Sequence, residues 1–95
     1  MIRHIVFFKF AEDAAAVAAE GKAKLESLVG KVPQIRALEA GVNVVEADRA
    51  YDLALTVTFD SVDDLDAYGV HPEHQIVGGW LRERSVSIVA CDYEA

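Results

Sequence analysis

Three histidines and one tyrosine carry most of the chemistry open to this chain. Two of the histidines fall in Tyr68-Gly69-Val70-His71-Pro72-Glu73-His74, which reads as a helix restart, and the third, His4, lies in the first strand. Histidine changes charge closest to neutral pH, so histidines that converge in a folded domain can exchange protons with a bound molecule. His74 would be the third residue of a helix beginning at Pro72, inside the first turn, where backbone N–H groups lack partners. The positive end of the helix dipole disfavours an imidazolium there, so a neutral, base-competent ring is expected. Glu73 favours the cation, but adjacent helix positions do not face each other. Each residue also has a plainer use. His74 can bond backbone or a carboxylate at a helix start, His4 can be a satisfied core histidine, Tyr68 a core aromatic whose hydroxyl finds a partner, and His71 a cap before Pro72.

Other chemistries find less support. His71 and His74 straddle a helix start, with no third ligand at matching spacing, so no metal site is expected. The acids Asp60, Asp63, Asp64 and Asp66 read as a helix N-terminus complementing its dipole, without the spacing of a calcium loop. Gly78-Gly79 lacks the strand-to-helix context of a phosphate loop and reads as close packing or a helix break. No Ser-His-Asp order or reactive-thiol setting points to a nucleophile. Cys91 is the single cysteine; its acidic and apolar neighbours predict a packed thiol, and one cysteine allows no intrachain disulfide.

The elements that must position these residues follow from pattern. Ile2 to Phe10 reads as a strand with large apolar groups on both faces, His4, Val6 and Phe8 on one and Ile5 and Phe7 on the other. Glu12 to Lys31 is alanine-rich, with Val17, Gly21, Leu25, Leu28, Val29 and Val32 at helical spacing, and Gly30 and Pro33 at its end. A second strand is predicted from Gln34 to Glu46, a turn over Ala47-Asp48-Arg49-Ala50, and a third strand from Tyr51 to Phe59. Ser61 and Asp64 resemble a capping box opening a short helix through Leu65 and Tyr68. Pro72 keeps His71 out of the helical region and starts a second piece to about Arg82, with Ile76, Trp80 and Leu81 as apolar anchors. Val86 to Tyr93 closes the chain as a strand.

Strand, helix, strand, strand, helix, strand is the split βαβ order of a ferredoxin-like α+β domain, with both helices on one sheet face. The helix-covered face would bring Val6, Phe8, Leu53, Leu55 and Val57 beneath His4 and His74, an apolar pocket with a few polar groups. The other face, holding Ile5 and Phe7, is left bare in a single copy.

Composition agrees. Ninety-five residues make one domain, 1–95. The apolar share of 53% exceeds what a domain this small readily buries, so a subunit interface or apolar pocket is the expected sink. No apolar run approaches a membrane span, and without a basic n-region followed by an h-region and cleavage site no secretory signal is expected. A formal charge of −7 disfavours nucleic acid and anionic lipid surfaces, and the cysteine usage favours the cytoplasm.

Arg3-His4-Ile5-Val6-Phe7-Phe8-Lys9-Phe10, the strand Tyr51 to Phe59, Ser61 to Tyr68, His71-Pro72-Glu73-His74 and Cys91-Asp92-Tyr93 together resemble the stress-responsive dimeric α/β-barrel family, Dabb. The resemblance spans essentially the whole chain. It implies a ferredoxin-like protomer and a homodimer whose sheets stack into a barrel; no cofactor is expected. Most such proteins are known only as stress-induced or uncharacterised proteins, and one plant member is a polyketide cyclase. His74 is similar to that cyclase's acid–base histidine, His4 to its first-strand histidine and Tyr68 to its pocket tyrosine. The long helix departs, with small or aliphatic residues around Lys22 and Leu25 where the cyclase has aromatic ones, so its substrate does not carry over.

Three expectations follow. The first is a stress-responsive protein that binds, and by histidine acid–base chemistry transforms, a small hydrophobic or aromatic ligand as a cyclase or lyase. The second is a non-catalytic structural protein acting as a stable dimer. The third is a cofactor-free monooxygenase of similar architecture.

Overall fold

The computed structural model describes all residues from Met1 to Ala95. Its elements are β1 (Ile2–Phe10), α1 (Ala14–Glu26), β2 (Ala37–Val42), β3 (Leu53–Phe59), α2 (Val62–Val70), α3 (Pro72–Arg84) and β4 (Ser85–Glu94). The four strands form one antiparallel sheet in the order β2-β3-β1-β4, a ferredoxin-like α+β fold. β1 is central and paired on both sides, which suits its apolar content. Its register with β3 is reinforced at the end of the sheet, where the Asp52 carboxylate accepts from the Phe10 N–H at 2.8 Å and the Asp52 N–H donates to the Phe8 carbonyl at 2.8 Å.

All three helices cover one face. Val6, Phe8 and Phe10 of β1 and Leu53, Leu55, Val57 and Phe59 of β3 point into that layer and are buried, alternating as a two-residue period requires. Ile5 and Phe7 point the other way, and Phe7 is exposed together with Val89 and Tyr93 of β4. Cys91, expected to be packed, is exposed on this same outer face, opposite Ile5 in the β1–β4 register.

The helices depart from their predicted bounds where apolar spacing outlasts the helix itself. α1 ends at Glu26 and not near Gly30, yet Leu28 and Val32 in the following turns remain buried. Gly21 of α1 is a contact surface. A Cβ there would stand 3.1 Å from both Leu53 Cδ2 and Leu81 Cδ2, so the glycine lets α1 approach β3 and α3 closely. On α3 the buried anchors are Val77 and Leu81, four apart, while Ile76 is exposed. β2 is shorter than predicted. Val44 and Val45, placed in the strand by sequence, lie beyond it with Val44 92% exposed.

Both predicted caps form. The Ser61 hydroxyl accepts from the Asp64 N–H at 3.2 Å, and His71 Nδ1 accepts from the Glu73 N–H at 3.1 Å. With Pro72 at the start of α3, the chain turns at His71 and begins a new helix that aims His74 back under Tyr68.

Candidate functional site

His4, Tyr68 and His74 converge although they come from β1, α2 and α3. The Tyr68 and His74 rings lie 4.2 Å apart between centroids, and His4 meets Tyr68 edge-on at 5.9 Å. Phe59 backs the group, its centroid 5.0 Å from that of Tyr68. They border a cavity of about 330 Å³ between the helices and the β1–β4 half of the sheet, walled mainly by apolar side chains.

Each ring is held in a defined way. The His74 Nδ1–H donates to the Gly69 carbonyl at 3.2 Å, which leaves Nε2 with its lone pair free. Burial disfavours the His74 imidazolium and outweighs the Gly69 carbonyl, which favours it; the positive charges of His4, Arg82 and His71 add to the depression. The neutral ring expected from the helix dipole is therefore supported first by burial. His4 Nδ1–H donates to the Asp92 carboxylate, its cross-strand partner, leaving Nε2 unbonded within the chain. Tyr68 is buried and its hydroxyl has no hydrogen-bond partner, contrary to the expectation that it finds one. Burial pushes its ionisation up to about 12, so it stays a neutral phenol able to donate.

Of the pocket residues expected from sequence, Val6, Phe8 and Leu55 line the cavity beside His4, Tyr68 and His74. Leu53 and Val57 do not. Leu53 is packed beneath Gly21 of α1, and Val57 is fully buried on β3 opposite His4, without reaching the cavity surface. The cavity lies toward β4 because Ile88 and Ala90 of that edge strand wall it, a displacement that strand order alone does not reveal. Sequence reading also missed Asp92 as the partner of His4, and Gly78 and Arg82 as wall residues. The spacing of His74, Gly78 and Arg82, four apart along one helix face, was the available signal.

Gly78 marks a place where space has been kept. A methyl there would lie 3.4 Å from Arg82 Nη1 and 3.6 Å from His74 Cε1, ordinary contact distances inside the cavity wall. Gly78→Ala is therefore expected to raise stability by about 1 kcal/mol in urea denaturation, through helix propensity, while narrowing the cavity and weakening ligand binding. A loss of stability would show that the backbone itself depends on the glycine.

The depressed His74 ionisation has a signed consequence. The unfolded chain takes up this proton near pH 6.5 and the folded chain only below that, so the stability His74 contributes is present above about pH 6.5 and is lost as pH falls further. Urea denaturation at pH 7.5 and 5.5 should show wild type losing more stability than His74→Gln. An equal loss would contradict it.

Residues 2–95 match the stress responsive A/B barrel domain, Dabb. The chain belongs to that family. This Dabb chain is similar to a dimeric protein of unknown function with a ferredoxin-like fold from Bacteroides fragilis, at 34% identity over 99% of this chain and 95% of that one, TM-score 0.88. A dimeric ferredoxin-like protein of unknown function from Thermobifida fusca shares its fold at 23% identity, 99% and 90% coverage and TM-score 0.87. So does a hydroxynitrile lyase from Passiflora edulis, at 24% identity, 97% and 90% coverage and TM-score 0.82. Comparison with curated proteins finds no match. No helix of this Dabb chain is long and apolar enough to cross a membrane.

Proposed function

We propose that this Dabb protein binds a small hydrophobic or aromatic ligand in the cavity beneath α2 and α3 and transforms it by proton transfer, as a cyclase or lyase. The observation that carries this reading is the pair of unbonded histidine nitrogens, Nε2 of His74 and Nε2 of His4, on one apolar cavity whose wall includes Tyr68, a residue with a buried, unpartnered hydroxyl. His74 Nε2 takes a proton from the carbon next to a carbonyl, and the electron pair left behind moves onto the carbonyl oxygen as an enolate. Tyr68 donates to that oxygen. His4, with Nδ1–H committed to Asp92, accepts from a ligand hydroxyl and fixes its orientation. The enolate carbon attacks a second carbonyl of the same ligand, forming the ring bond as that C=O π bond opens, and the proton on His74 passes to the alkoxide so formed, so no cofactor is required. The fold is one that also holds a hydroxynitrile lyase.

In this reading the working form is a homodimer joined through the outer sheet face around Ile5 and Phe7, as its 34% identical relative is dimeric. The cytoplasm is its proposed location.

A histidine-resolved NMR pH titration tests the site. His74 should titrate below the ordinary value near 6.5, and His4→Ala should move its midpoint upward by removing a neighbouring positive charge. Two independent titrations near 6.5 would leave unrelated histidines and sink the acid–base reading.

A further inference from the structure

Arg82 is the one side chain with a permanent positive charge on the cavity wall, and it makes no hydrogen bond or ion pair within the chain. Its neighbour Arg84 behaves differently. Arg84 donates to the Trp80 carbonyl at 3.0 Å, lies 4.2 Å from the centre of the Trp80 ring and pairs with Glu83 at 3.7 Å. Sixteen acidic residues are available in this chain, yet none stands against Arg82.

Its guanidinium lies against the two glycines before it. Gly78 and Gly79 stand four and three residues ahead of Arg82 on α3, where side chains would otherwise meet it. The guanidinium folds back over them: a methyl on Gly78 would sit 3.4 Å from Nη1, and one on Gly79 4.0 Å from Nη2. The same methyl on Gly78 would sit 3.6 Å from His74 Cε1, so the guanidinium and the imidazole flank one glycine. Each glycine inside a helix costs about 1 kcal/mol relative to alanine, and the helix nevertheless runs unbroken from Pro72 to Arg84. A planar, unpaired guanidinium at the rim of an apolar cavity is matched in geometry by a carboxylate, which it grips with two parallel hydrogen bonds.

We propose that the ligand of this cavity is a small organic acid, its carboxylate held at the rim by Arg82 over Gly78-Gly79 and its apolar or aromatic body lying inward toward Tyr68. This rests on the cavity being the ligand site. It narrows the substrate class from hydrophobic carbonyl compounds to those that also carry a carboxylate.

Benzoate, phenylacetate and 3-phenylpropanoate, each beside its neutral amide, serve as probes of the full chain. Binding is followed through the His74 and Tyr68 NMR signals in wild type and Arg82→Gln, with the fold of the variant checked by its remaining spectrum. At least one acid should perturb both signals and bind about five- to tenfold more tightly than its amide, the range for a charge pair at a partly exposed rim. In Arg82→Gln that preference should vanish while the amide binds as before. Acid and amide binding equally well in wild type, or a preference that survives Arg82→Gln, would overturn the acid assignment and leave the cavity reading standing. No perturbation of His74 or Tyr68 by any probe at millimolar concentration would overturn both.

Discussion

Conversion of an aromatic carbonyl substrate is expected to fall by about 10²- to 10⁴-fold when His74 is replaced by Gln, with ligand affinity almost unchanged. Glutamine suits the test because its amide N–H can still donate to the Gly69 carbonyl, so α3 keeps its start while the free basic nitrogen disappears. The effect belongs in kcat because the ring's apolar contacts with Tyr68 serve bound ligand and transition state alike, whereas proton abstraction belongs to the transition state alone. A panel of aromatic carbonyl compounds, followed by product formation in wild type and variant, provides the measurement. Turnover that survives His74→Gln would remove this histidine from the chemistry. A comparable loss of affinity would make it a binding residue.

The same site shows why some of it could be read in sequence and some could not. His71, Pro72 and His74 were legible because proline restricts the residue before it and fits a helix start, a local rule that needs no knowledge of the fold. β1 was legible from Ile2 to Phe10 because a central strand is apolar on both faces. Tyr68 was legible as an aromatic on the inner helix face, but its unpartnered hydroxyl was not, since satisfaction depends on every neighbour at once. Asp92 was out of reach for another reason. Its contact with His4 exists only because β4 pairs antiparallel with β1 in one register, and a slip of one residue would turn Asp92 to the outer face. Leu53 and Val57 were misplaced because the two-residue alternation assigns a face and not a position across it; α1, drawn in by Gly21, closes over Leu53 and shifts the open space toward β4. α1 was drawn too long because Leu28 and Val32 continue its apolar spacing in turns that pack just as firmly.

The bare sheet face leads to the second large effect. Phe7 is 42% exposed in the middle of β1, with Val89 opposite it on β4 and the Tyr51 ring 6.3 Å away. Exposed apolar side chains on adjacent strands of a regular sheet form a contiguous patch, which soluble monomers rarely leave uncovered. In a two-fold dimer the same patch meets itself, so each substitution acts twice. Losing a buried phenylalanine at about 2 kcal/mol per copy, before the cost of burying a charge, weakens Phe7→Asp dimers by about 10³-fold or more. Analytical ultracentrifugation at micromolar concentration should find wild type dimeric and Phe7→Asp monomeric. The wild type sedimenting as a monomer would contradict the interface. Because His4, Tyr68, His74 and the cavity between them lie on the helix side and come from one chain, the monomeric variant should keep the depressed His74 titration. A His74 midpoint that rises to the ordinary value in Phe7→Asp would mean that the second copy closes the site, and that dimer and chemistry are a single device.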